Sequence, residues 1–220
     1  MTLSAVFWDF GGVFTTSPFE AFRRFEAENG LPRDFLRGIN ATDPDTNAWA
    51  RFERSELTLE EFDRAFEAES AAAGYPVPGS KVIELLAGDV RPEMVAALRR
   101  IREAYRVACI TNNVRAGEGR GMQRSAEMAT EIEAIMDLFE MVIESSKIGV
   151  RKPDPRIYEH ACEAMAVAPQ EVVYLDDLGV NLKPARALGM TTIKVVEPAE
   201  ALAALEDVLG IELTDLTPAG

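Results

Sequence analysis

Short apolar runs that end in carboxylates constrain this 220-residue chain more than any other feature. Leu3 to Trp8 and Val172 to Leu175 are nearly continuous apolar stretches of strand length. Asp9 follows the first, and Asp176 with Asp177 follows the second. Strands covered on both faces, as in a parallel sheet, carry this texture. Acids at the ends of two such strands would emerge at the C-terminal edge of the sheet, where open α/β sheets hold ligands. Lys152, in Arg151-Lys152-Pro153-Asp154-Pro155, lies just beyond a third run, Met141 to Ser145. A nucleophilic carboxylate, a pair of metal-binding carboxylates and a lysine are the parts of a phosphoryl-transfer centre.

The rest of the chain divides by texture. From about Ser17 to Gly88, aromatics recur at helical spacing (Phe19, Phe22, Phe25, then Phe52, Phe62, Phe66) and strand-like runs are missing. Ser17-Pro18 reads as a helix start, and Thr58-Leu59-Glu60-Glu61 as a capping box. A further short helix is expected to begin near Ser80. After Asp89 helical and strand patterns alternate. Helices are expected over Pro92–Tyr105, Glu127–Leu138, Pro155–Ala166, Asn181–Leu188 and Glu200–Leu209, and further strands over Arg106–Thr111 and Thr191–Val196. Alternation of this kind implies a Rossmann-like parallel sheet with helices on both faces. The expected organisation is an α/β core of residues 1–15 and 89–220, with residues 16–88 inserted as a helical domain. The tail from Thr214 to Gly220 reads as frayed.

Composition narrows the partners. A net charge of −14 argues against a nucleic-acid binder, because that affinity rests largely on neutralising phosphates. A small phosphorylated metabolite remains compatible, since one lysine and one metal reverse the field locally. Cys109 and Cys162 read as buried free thiols, with no disulfide framework. No apolar run approaches membrane-spanning length and no basic segment precedes the first apolar stretch, so a cytoplasmic location with no membrane partner is expected. Monomer and homodimer both stay open.

With these residues in hand, the chain resembles the haloacid dehalogenase-like hydrolases, a superfamily of aspartate-nucleophile phosphatases. The resemblance rests on four motifs in order: Asp9 after a strand, Thr111 in Ile110-Thr111-Asn112-Asn113, Lys152 in Arg-Lys-Pro-Asp-Pro, and Asp176-Asp177. It extends across nearly the whole chain, and the insertion between the first two motifs looks like the family's helical cap domain. The stretch Leu175 to Met190 is similar to the N-terminal phosphatase domain of soluble epoxide hydrolase and to the related domain fused to some acyl-CoA dehydrogenases.

The resemblance implies Asp9 as nucleophile, forming an aspartyl-phosphate that divides one hard displacement into two easier ones. It implies Mg²⁺ held by Asp9, Asp176, Asp177 and the backbone carbonyl of Gly11, since converging carboxylates repel one another without a cation. Lys152 would neutralise the nucleophile and the transferring group, and Thr111, Asn112 and Asn113 would donate to phosphate oxygens. Asn181 could orient the acidic loop, but a helix cap is the expectation. His160, the only histidine, is expected at a structural or surface position, and Arg115–Gly121 as solvated loop.

One position departs from the family. The phosphatase motif carries a second aspartate two residues after the nucleophile, the acid that protonates the leaving group; here that residue is Gly11. General acid–base help is worth about 10²–10⁴ in rate, so three readings stand. The preferred one is a Mg²⁺-dependent phosphomonoester phosphatase that tolerates the loss through a good leaving group, an ordered water or an acid from the insertion, with Asp43 and Asp45 as candidates. The second is a 2-haloacid dehalogenase, whose metal-free chemistry would be burdened by Asp176 and Asp177. The third is a catalytically weak domain that binds a phospho-ligand or a partner.

Overall fold

The computed structural model describes residues 2–86, 88–112 and 126–213. The first strand, β1 (Ala5–Trp8), leads into the helices α1 (Pro18–Glu28), α2 (Phe35–Ala41), α3 (Ala48–Glu53), α4 (Leu59–Ala72) and α5 (Gly79–Glu84). There follow α6 (Pro92–Ile101), β2 (Arg106–Thr111), α7 (Ala126–Met136), β3 (Met141–Glu144), α8 (Ser145–Ile148) and α9 (Pro155–Ala164). The chain continues through β4 (Val172–Asp176), α10 (Gly179–Ala187), β5 (Thr191–Lys194) and α11 (Pro198–Leu209).

The five strands among the described residues are parallel, in the order β3-β2-β1-β4-β5. The sequence dictates which strands lie inside. In β1 all four residues are buried, and so are all five of β4, whereas the edge strands β3 and β5 bury fewer positions. Strand periodicity of two then sorts side chains between the faces. Val6, Trp8, Val107, Cys109, Val173 and Leu175 enter one apolar cluster with residues of α6 and α11, while Ala5, Phe7, Ala108, Ile110, Val172 and Tyr174 enter another with residues of α9 and α10. The sheet is thus covered on both sides, as the alternation predicts.

A third cluster (Phe22, Leu36, Phe52, Phe62, Phe66 and neighbours) lies within the segment from α1 to α5. The expected capping box at Thr58–Glu61 is formed at the start of α4. The chain enters and leaves this segment side by side, through the antiparallel bridge Thr15–Val90 and the bonds from Thr16 N–H to the Asp89 carbonyl and Arg91 N–H to the Phe14 carbonyl, both 2.8 Å.

Several boundaries differ from the sequence reading. The run Met141–Ser145 ends as a strand at Glu144, because Ser145 begins the short helix α8. The helix expected from Asn181 starts at Gly179 and carries Pro184 inside it, which moves Asn181 into the first turn. Cys109 and Cys162 are both buried and free, as expected. No helix among the described residues is long and apolar enough to cross a membrane.

Candidate active site

Register brings the acids together. Trp8 pairs with Leu175, and the Asp9 N–H donates to the Leu175 carbonyl at 2.8 Å, so Asp9 sits beside Asp176 at the ends of adjacent strands. Their side chains continue the face that carries Phe7 and Tyr174. Asp9 is 7% exposed and Asp176 fully buried. Thr111 ends β2 on the other side of β1 and is also buried.

Lys152 closes this group. Its ammonium is 2.7 Å from Asp9 Oδ1 and 2.9 Å from Asp176 Oδ2, and the residue is 1% exposed. Asn112 holds the lysine backbone at both ends: its Oδ1 accepts from Lys152 N–H at 2.8 Å, and its Nδ2 donates to the Lys152 carbonyl at 3.0 Å. The side-chain amide of Asn112 is therefore engaged with Lys152. Asn113 and the stretch Arg115–Gly121 lie outside the described residues.

Asp176 is heavily bonded. Its Oδ1 accepts from Leu178 N–H at 2.8 Å and from Asn181 Nδ2 at 3.0 Å, and its Oδ2 accepts from Lys152, from Asn181 Nδ2 at 3.1 Å and from the Tyr174 hydroxyl. Asn181 thus orients the acidic loop, and the expected helix cap is corrected: Leu178 occupies the N-cap of α10. The Tyr158 hydroxyl in turn donates to the Asn181 carbonyl at 2.8 Å, and its ring meets Tyr174 edge-on at 5.4 Å. Sequence reasoning missed both tyrosines. A signal existed for Tyr174, which lies two residues before Asp176 and hence on the same strand face.

Electrostatics describe a site short of positive charge. Burial raises the Asp9 carboxyl well above its usual range; Lys152 opposes this, and Asp176 and Asp177 add to it. Asp177 is pushed up to about 6 by burial and by Asp176, with Lys152 and Arg91 pulling it down. For Lys152 burial works against the charge, but Asp176 and Asp9 outweigh it and hold the ammonium protonated. One lysine faces three carboxylates.

These residues fit a divalent cation. Asp9, Asp176 and Asp177 each offer an oxygen within 4.8 Å of the others, an all-oxygen donor set suited to Mg²⁺. The loop leaves room for it. Gly12 has φ +75°, and a Cβ there would lie 2.4 Å from Asp177 Oδ2, so only glycine allows Asp177 its present place. Gly11 is exposed, and its Cβ position has no neighbour within 4 Å. Of the other residues considered from sequence, His160 is exposed on α9, and Asp43 and Asp45 are exposed before α3.

A model of the haloacid dehalogenase-like hydrolases matches residues 3–189. The chain belongs to that family. Among curated proteins it is 32% identical over 227 residues to mouse bifunctional epoxide hydrolase 2, covering 98% of this chain and 40% of the relative. It is 34% identical over 224 residues to mouse acyl-CoA dehydrogenase family member 10, covering 95% of this chain and 19% of the relative. The chain therefore spans well under half the length of these two proteins. Phosphatase MT3486 of Mycobacterium tuberculosis (strain CDC 1551 / Oshkosh) is 29% identical over 211 residues, with 86% of both chains covered. Among solved structures, a HAD family enzyme of Bacteroides thetaiotaomicron in complex with magnesium and inorganic phosphate aligns with TM-score 0.58 at 20% identity, covering 87% of this chain and 93% of that one. An L-2-haloacid dehalogenase aligns with TM-score 0.56 at 20% identity, covering 99% and 92%. Both neighbours share this fold, so the choice of chemistry rests on the site.

Proposed function

We propose that this chain is a Mg²⁺-dependent phosphatase of small phosphomonoesters, with Asp9 as nucleophile. The observation that carries the reading is the Lys152 ammonium bridging Asp9 and Asp176 at 2.7 and 2.9 Å, with Asp177 completing a three-carboxylate cluster. The phosphatase name of the mycobacterial relative supports it.

Mg²⁺, when bound, would neutralise the carboxylates and the phosphoryl oxygens and so reduce the repulsion between two anions. Asp9, Asp176, Asp177 and the Gly11 carbonyl would hold it. Asp176 is itself oriented by donors from Lys152, Tyr174, Asn181 and Leu178, the supporting layer of the site. An Asp9 oxygen attacks phosphorus, the bond from phosphorus to the ester oxygen breaks, and the leaving group departs with its electron pair. Lys152 and Thr111 stabilise charge on the transferring group. Water then attacks the phosphorus of the aspartyl-phosphate, releasing inorganic phosphate and restoring Asp9. Gly11 supplies no acid, so esters with stable leaving groups are the preferred substrates. Residues 16–88 act as the cap over this site, and residues 1–15 with 89–220 as the hydrolase core.

Gly11 also suits a 2-haloacid dehalogenase, but two further carboxylates beside Asp9 would repel an anionic haloacid. Phosphate release from a panel of phosphomonoesters and acyl phosphates, with Mg²⁺ or EDTA and with Asp9→Asn as control, tests the proposal. Metal-dependent turnover lost in the variant supports it; halide release without metal would replace it with the dehalogenase.

A further inference from the structure

The helical segment meets the sheet edge next to Lys152 through a set of polar contacts. The Ser145 hydroxyl donates to the Glu53 carbonyl at 2.9 Å, and the Ser55 hydroxyl donates to the Ser146 carbonyl at 3.2 Å. Arg151 Nη1 donates to the Pro44 carbonyl at 3.0 Å. Between them Arg151 Nε lies 2.5 Å from Glu53 Oε2, with the side chains only 17% and 6% exposed. Ser55 holds a left-handed backbone (φ 60°), a conformation that surrounding contacts must enforce in a non-glycine residue.

Two physical points give these contacts a role. The apolar side chains of the helical segment form a cluster of their own, and the contacts named above are made by polar groups that water could replace. A part-buried arginine paired with a buried carboxylate adds little net stability, yet it fixes one arrangement, because separating the partners leaves the Glu53 charge buried and uncompensated. That arrangement is one peptide bond from Lys152, whose backbone is gripped from the other side by Asn112. The lysine peptide is clamped between the core and the helical segment.

We infer that Glu53 and Arg151 form a latch coupling the docking of the helical segment to the placement of Lys152, and that both are positioning residues for the reaction. The catalytic part of this inference rests on the phosphatase reading above; the latch itself does not. When the pair is broken, the stretch carrying Lys152 loses one side of its clamp, and the ammonium no longer stays between Asp9 and Asp176.

The test combines hydrogen–deuterium exchange over residues 48–56 and 145–152 with steady-state turnover of p-nitrophenyl phosphate and Mg²⁺. The proteins are wild type, Glu53→Gln, Arg151→Met and the double variant. Each single change is expected to speed exchange in both stretches about tenfold and to lower kcat roughly 10–100-fold with KM within about threefold, since small misplacements of a catalytic group act on kcat. The double variant is expected to be no worse than the more affected single one. Additive losses, unchanged exchange, or faster exchange with unaltered kcat would each overturn the coupling. Wild-type protein inactive on every ester would instead overturn the phosphatase reading, with the exchange pattern still deciding the latch. Should these changes prevent folding, Ser55→Ala removes one part-buried hydrogen bond across the same junction. Faster exchange at 145–152 in that variant supports the latch, and none contradicts it.

Discussion

Asn112 grips both backbone polar groups of Lys152, accepting from the N–H at 2.8 Å and donating to the carbonyl at 3.0 Å. A residue at the end of one strand thereby fixes a lysine from a loop elsewhere in the chain. Asn112→Ala removes both bonds. The expected result is a loss of about 1–3 kcal/mol in unfolding free energy, from backbone groups left without partners, and a fall in kcat of about 10–100-fold. Denaturant unfolding and turnover measured on the same preparation check both; intact kcat would show that Lys152 finds its place without this grip.

Asn181 and Tyr174 should separate by degree. Asn181 donates to both oxygens of Asp176 and Tyr174 to one of them. Groups that orient the residues around a metal typically contribute 10–100-fold to its affinity. Asn181→Ala is expected to weaken Mg²⁺ binding by roughly that range, and Tyr174→Phe by about tenfold or less, because Asp176 Oδ2 keeps Lys152 and Asn181. Calorimetric Mg²⁺ titration measures the order, and a reversed order would contradict the assignment.

The two neighbouring glycines should behave oppositely. A side chain at Gly11 meets nothing within 4 Å, so Gly11→Asp fits, and turnover of esters with poor leaving groups is expected to rise by about 10²-fold. At Gly12 a methyl group collides with the Asp177 carboxylate, and the positive φ disfavours any L residue. Gly12→Ala is expected to abolish Mg²⁺-dependent turnover. Unchanged rates in Gly11→Asp would mean that another group already protonates the leaving oxygen.

The raised carboxyls predict a pH signature. Asp177 goes from the usual 3.8 to about 6 through burial and Asp176, and Asp9 rises as well. The metal-free folded protein then holds protons that the unfolded chain has released, so stability falls as pH climbs from 3.8 to about 6. At about 1.4 kcal/mol per pH unit, Asp177 alone accounts for about 3 kcal/mol at most. Mg²⁺ competes with these protons, so the rise in Tm on adding Mg²⁺ should grow between pH 5 and pH 7.5, around that midpoint. A shift independent of pH would contradict it.

How much of this was legible in the sequence follows the range of the interactions. Asp9, Asp176 and Asp177 were readable because apolar runs announce buried strands and acids mark their ends, and the register set Asp9 beside Asp176. Asn181 misled because the same side-chain chemistry serves a helix cap and a carboxylate partner, and only the start of α10 at Gly179 distinguishes them. The strand expected through Ser145 stopped one residue early, a boundary that periodicity does not resolve. Glu53 carried no signal at all. Its meeting with Arg151 depends on how the helical segment docks, which no local pattern encodes.

The most direct test of the central claim is acid-quenched intact-mass and peptide analysis of the protein during turnover of an acyl phosphate with Mg²⁺. The account predicts a mass increment of one phosphoryl group, localised to Asp9 and missing in Asp9→Asn. Rapid phosphate release with no phosphorylated protein at any time, or with the group on another residue, would contradict it.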